Sequence, residues 1–192
     1  MSTLLLDLET YCEVPITNGT YIYAEHCEVL LAAYAWDDGP VHVEDTSGEG
    51  EWQRFKPQLQ FMLDEADEIV VHAKSDFDPV VLRYQGLTVP PEKITNSSVL
   101  ALQHSLPAGL GELCDVLGVP VDKAKDKAGK KLIQRFCKPA PKNQKIRRAT
   151  RETHPAEWAR YLEYARHDIL ALRELWKKLP EWNYGPLELG HW

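Results

Sequence analysis

The segment Leu4-Leu5-Leu6-Asp7-Leu8-Glu9-Thr10 is apolar except for two carboxylates one residue apart. A strand alternates its side chains with period two. Leu4, Leu6 and Leu8 therefore share one face, and Leu5, Asp7 and Glu9 share the other. Two acids on one face of a buried strand lose solvation and repel each other. A fold keeps such a pair where something positive sits between them, and a hard divalent cation prefers carboxylate oxygen. The competing reading is a frayed strand end with both acids in water. Further acids brought to the same place would decide between the two.

The 192 residues suit one domain with a real core, and 44% hydrophobic with 27% charged residues is ordinary soluble composition. No apolar run has the length of a membrane span, and no basic-then-apolar leader opens the chain, so a cytoplasmic, unprocessed protein is expected. Cys12, Cys27, Cys114 and Cys137 lack zinc-finger or CxxC spacing and read as reduced structural thiols. Net charge is −7, yet residues 123–151 hold twelve basic residues against the single acid Asp126. An acidic chain with one concentrated basic stretch points to a localised polyanion site.

Periodicity predicts strands at 3–9, 29–36, 41–45 and 68–72, the middle two forming a hairpin. Helices are predicted near 52–66, 76–85, 97–104 and 110–117, with a long one beginning at Pro155 and running to about Lys178. Gly129, Pro139 and Pro141 mark irregular backbone in the basic stretch. This order implies an α/β fold with a mixed sheet flanked by helices. The domain is expected to span residues 1–179, with 180–192 a tail or linker.

Two more acids stand out. Asp76-Phe77-Asp78 follows the strand at 68–72, and the carboxyl ends of strands are where such sheets bind ligands. Asp168 lies at the edge of the apolar stripe of the last helix, with Tyr164 one turn before it. Singly, Asp78 could be a helix cap and Asp168 a solvated flank.

The ordered set Asp7-x-Glu9, Phe77-Asp78 and Tyr164-x-x-x-Asp168 resembles the DEDD superfamily of 3′–5′ exonucleases, in the branch whose last motif carries tyrosine. It is especially similar to the proofreading domain of bacteriophage family A DNA polymerases. Residues 123–139 resemble a segment common in those phage proteins, and residues 179–184 resemble the join to the polymerase. The likeness covers nearly the whole chain. It departs in the second motif, where Ala73 and Lys74 stand at the usual His-Asn and His72 sits one place early. The ligand there is Asp78 by alignment, with Asp76 the alternative by proximity.

The resemblance implies a ribonuclease H-like fold and two Mg²⁺ or Mn²⁺ ions held by Asp7, Glu9, Asp78 and Asp168, with Asp7 bridging. Such ions lie about 4 Å apart, activate water and stabilise the leaving oxygen. Tyr164 would orient the water, since an ordinary tyrosine is too weak a base at pH 7 to take its proton. Leu8 and Thr10 would approach the terminal nucleotide, Tyr11 would stack on a base, and Lys130, Lys131 and Arg135 would meet phosphates. The implied partners are single-stranded DNA or a frayed 3′ end and a DNA polymerase, in cis or in trans. The implied location is the cytoplasm of the host cell if a phage encodes the chain. An exoribonuclease on the same scaffold and a binding module with a degenerate site are the competing functions. The segment 127–131 argues against a P-loop, because it lacks the earlier glycine and the terminal Ser/Thr.

Overall fold

The computed structural model describes residues 1–73, 75–120 and 123–180, and the side chains of residues 123–128 and 130 lie outside that description. The tail expected at 180–192 is therefore outside it except for Pro180.

Five strands form one mixed sheet: β1 (Thr3–Tyr11), β2 (Glu28–Trp36), β3 (His42–Asp45), β4 (Glu68–Val71) and β5 (Ile94–Asn96), in the order β3-β2-β1-β4-β5. The pairs β1–β2 and β2–β3 are antiparallel, while β1–β4 and β4–β5 are parallel. With helices on both faces this is the mixed-sheet α/β fold that the order of predicted elements implies, of the ribonuclease H-like kind that the resemblance implies. β1 is the central strand. Its period of two is realised in the core: Leu4, Leu6 and Leu8 pack on one face of the sheet, and Leu5 and Tyr11 on the other.

The first face is covered by α1 (Thr20–His26), α2 (Glu51–Glu65) and α3 (Phe77–Tyr84). α2 buries Trp52, Phe55, Leu59, Met62 and Leu63, the residues its helical spacing selects. The second face is covered by α4 (Ser97–Gln103), α5 (Leu110–Val116), α6 (Lys123–Phe136) and α7 (Pro155–Trp176). Asn96 caps α4 by accepting from the Ser98 N–H at 3.0 Å, and Gly118 beyond α5 has φ +63°, a conformation glycine adopts without strain.

Two short elements escape the periodicity argument. α1 buries only Tyr23 and Ala24, too few residues to show a period, and β5 is three residues long. The expected irregular backbone at Gly129 is corrected, because Gly129 lies inside α6. A glycine costs a helix about 1 kcal/mol relative to alanine, a penalty that packing can outweigh.

α6 is tied to α7 through Phe136, fully buried against Trp158 (centroids 4.9 Å apart) and Tyr161 (5.1 Å). Phe136→Ala is expected to destabilise the fold by about 3–5 kcal/mol, the usual cost of emptying an aromatic site. Urea unfolding would measure it, and a loss below about 1 kcal/mol would show that α6 is not anchored there.

Candidate active site

β1 delivers Asp7 and Glu9 to the face of the sheet covered by α6 and α7. α7 delivers Asp168 to the same point: one carboxylate oxygen each from Asp7, Glu9 and Asp168 lies within 4.8 Å of the others. Glu9 is buried, and Asp7 and Asp168 are half-buried. At this point the pairing of β1 with β2 slips: Glu9 faces Leu31 but Thr10 faces Val29, so Leu30 is bulged. Such bulges re-aim side chains beside active sites.

Asp78 joins from the other side. β4 pairs with β1 from Thr3↔Glu68 only as far as Leu5↔Val70 and ends at Val71. The Leu8 N–H, beyond that end, donates instead to Asp78 Oδ1 at 3.2 Å. Asp78 is 2% exposed in the first turn of α3, and the Asp7 charge acts on it. Asp76 precedes α3 as an exposed residue. Asp78, not Asp76, is thus the acid that the fold brings beside Asp7.

The electrostatics are those of a crowded anionic pocket. Burial raises Asp7 to about 6. Glu9 is held well above the carboxylate range by burial and then by the Asp7 and Asp168 charges, against the opposing hydrogen bonds from Tyr161 and Cys137. Asp78 is raised likewise, by burial first and Asp7 second. Among the described residues no basic side chain is bonded to Asp7, Glu9 or Asp78. Carboxylate oxygens crowded in this way fit hard divalent ions.

Tyr164 stands over the triad, hydrogen-bonded to Asp168. Burial, then the Asp168 and Glu9 charges, raise its hydroxyl above its ordinary value. It therefore stays protonated at neutral pH. A Cβ on Gly129 would overlap the Tyr164 ring, so α6 runs directly against this tyrosine. The acids open into a cleft of about 1210 Å³ lined by Leu8, His72, Gly129, Lys131 and Arg160 among others. Burial lowers His72 to about 4, so it is neutral, and its Nδ1 pairs with Ser97 Oγ at 2.9 Å.

Several expected substrate contacts fare differently. Leu8 lines the cleft although it is 5% exposed. Thr10 is corrected: its hydroxyl turns to Tyr23 OH at 2.8 Å, inside the first core. Tyr11 is corrected as well. It is 4% exposed, and the Arg148 guanidinium covers its ring at 4.1 Å, leaving no platform for a base. Lys131 is exposed and lines the cleft. Arg135 pairs with Glu157 at 3.3 Å. The Lys130 side chain and Lys74 lie outside the described residues. Sequence reasoning missed Gly129, Tyr161 and Cys137. Tyr161 counts there as one more member of the apolar stripe and Cys137 as a bland thiol; only proximity in space marks them.

No protein-family model matches the sequence. Among curated proteins the chain is similar to the DNA polymerase of Bacillus phage SP02, at 29% identity over 198 residues. The match covers the whole of this chain and 30% of that protein, so the chain spans under a third of its relative's length.

The raised Asp7 pKa makes metal-free stability depend on pH. Between its unfolded value of 3.8 and its folded value of about 6, the native state holds a proton that the unfolded state releases. Stability therefore falls as pH rises through that window. Asp7→Asn removes this contribution. In a chelator the variant should match the wild type near pH 4 and exceed it by about 1–3 kcal/mol at pH 7. Thermal melts across pH 4–7.5 would show the widening gap, and a constant gap would refute the shift.

Proposed function

We propose that the chain is a metal-dependent 3′–5′ exonuclease that hydrolyses DNA from the 3′ end and releases nucleoside monophosphates. It would work as a proofreading activity beside a DNA polymerase, in cis or in trans, in the cytoplasm of the cell where that DNA is copied. The observation that carries this reading is the meeting of Asp7, Glu9 and Asp168, with Asp78 buried alongside. Likeness to a phage DNA polymerase supports DNA as substrate and polymerase as partner. The cleft of about 1210 Å³ exceeds what a small molecule needs and suits the end of a strand.

Asp7, Glu9, Asp78 and Asp168 would hold two Mg²⁺ or Mn²⁺ ions. Bound there, such ions make water nucleophilic at neutral pH and stabilise the departing 3′ oxygen. Asp7 meets Glu9 and Asp168 on one side and acts on Asp78 on the other, which supports reading it as the ligand the two ions would share. Tyr164, kept protonated, orients the attacking water through its hydroxyl and takes no proton from it. Lys131 and Arg160 at the cleft would meet phosphates, which positions a strand without reading its sequence.

The direct test is degradation of a 3′-labelled single-stranded DNA with Mg²⁺ or Mn²⁺, beside a matched RNA. The wild type is expected to shorten DNA from the 3′ end. Asp7→Ala and Asp168→Ala should fall to background while still binding the strand. Faster loss of RNA would make the enzyme an exoribonuclease, and no hydrolysis of either would leave a nucleic-acid-binding module. A second expectation concerns Gly129. Alanine would favour the helix by propensity, but its Cβ must displace the Tyr164 ring. Gly129→Ala should therefore lower kcat about 10- to 100-fold, the scale of a misplaced catalytic group. An unchanged kcat would show that Tyr164 is not held in place by α6.

A further inference from the structure

We infer that Tyr161 and Cys137 form a clamp that fixes the orientation of the Glu9 carboxylate and so sets the affinity of the acid cluster for divalent cations; this rests on the metal-dependent reading above. The Tyr161 hydroxyl donates to Glu9 Oε2 at 2.8 Å. The Cys137 Sγ lies 2.9 Å from the Tyr161 hydroxyl and 3.6 Å from Glu9 Oε2. With the phenol proton given to the carboxylate, the thiol proton goes to the phenol oxygen or to Glu9. Both contacts fall on one oxygen, and Oε1 accepts no hydrogen bond among the described residues.

The clamp is itself held rigidly. Tyr161 is fully buried, its ring stacked on Phe136, edge-on to Trp158 and nearly parallel to Tyr164 at 6.5 Å. Cys137, 7% exposed just past α6, has its carbonyl bonded by the Cys12 N–H at 3.3 Å. The three groups thus come from β1, from the end of α6 and from α7, and none can turn without repacking.

A clamp of this kind explains two buried polar groups that a purely apolar core would not need. Tyr161 sits in the middle of the α7 stripe, where phenylalanine would pack equally well. The hydroxyl is retained at a place where its loss would leave Glu9 buried against two other acids with one partner fewer. An unclamped carboxylate would rotate away from its like-charged neighbours and would have to be reordered each time a cation binds. Outer partners of metal ligands commonly change metal affinity 10- to 100-fold when removed.

Tyr161→Phe keeps the ring and its packing and removes only the donor. Binding of Mn²⁺ alone, titrated by electron paramagnetic resonance or calorimetry on the full chain without nucleic acid, should weaken about 10-fold or more. The Mn²⁺ concentration for half-maximal cleavage should rise in step, with the rate at saturating Mn²⁺ largely recovered. Cys137→Ala should weaken binding in the same direction, and Cys137→Ser, which keeps a donor, should restore part of it. Tyr161→Phe binding Mn²⁺ as tightly as the wild type would overturn the clamp while leaving the exonuclease reading intact. Asp7-dependent Mn²⁺ binding without cleavage would overturn the exonuclease reading while still testing the clamp. A wild type that binds no Mn²⁺ would overturn both.

Discussion

The burial of several carboxylates at one point, with their mutual repulsion added to it, is the constraint on which the site depends. Four carboxylates meet at the end of β1 with half-buried or buried surroundings, and burial is the largest cause of the raised values at Asp7, Glu9 and Asp78. No single element supplies all four. The fold divides the work: β1 supplies two, α3 one and α7 one, and each element is held from behind by its own apolar contacts. The early end of β4 belongs to the same arrangement, since it frees the Leu8 N–H to hold Asp78. What the cluster costs in the metal-free chain is what a bound dication would relieve.

The basic stretch looks like the natural counterweight, but its formal charge overstates what faces solvent unpaired. Arg135 pairs with Glu157, Arg148 makes a two-pronged contact with Glu28, and Arg151 reaches Asp45 and Glu51. Arg135 ties α6 to α7, while Arg148 and Arg151 tie the segment between those helices to β2 and β3. Exposed positive charge resides instead at residues such as Lys131, Lys138, Lys142, Lys145 and Arg147. A planar, forked guanidinium suits fixed pairing, and a flexible ammonium suits a shifting polyanion. The stretch therefore serves architecture with its arginines and offers its field mainly through lysines, which is enough because the local field, not the net charge, governs encounter.

The parts of the site that were readable in the sequence are those fixed by period. Alternation alone places Asp7 and Glu9 on one face of β1, and the 3.6-residue stripe places Tyr164 and Asp168 together on α7. Asp78 over Asp76 is decided by the turn into α3, whose first residues bury one acid and expose the other. Thr10 and Tyr11 show where adjacency misleads. They neighbour the acids in sequence, but the bulge and the pleat send one to Tyr23 and bury the other beneath Arg148. Gly129 reads as a helix breaker for the opposite reason: its propensity argues against a helix that tertiary packing nonetheless forms. Tyr161 and Cys137, twenty-four residues apart, have no joint signature until α6 and α7 are packed.

That packing gives α6 more than one purpose. Its glycine abuts Tyr164, its last residue Phe136 stacks on Tyr161, and the next residue, Cys137, contacts Glu9. Tyr161 and Tyr164 lie one helical turn apart on α7 with rings nearly parallel. The wall of the cleft and the orientation of two site side chains are therefore set by one helix. A shift of α6 along α7 would disturb the tyrosine above the acids and the tyrosine behind them together, because both rings are braced against it. The same helix carries Lys131 into the cleft. In the proposed function, contact with a polyanion and alignment of the acidic centre would share this one element, and the glycine that weakens α6 locally is what lets it come close to Tyr164.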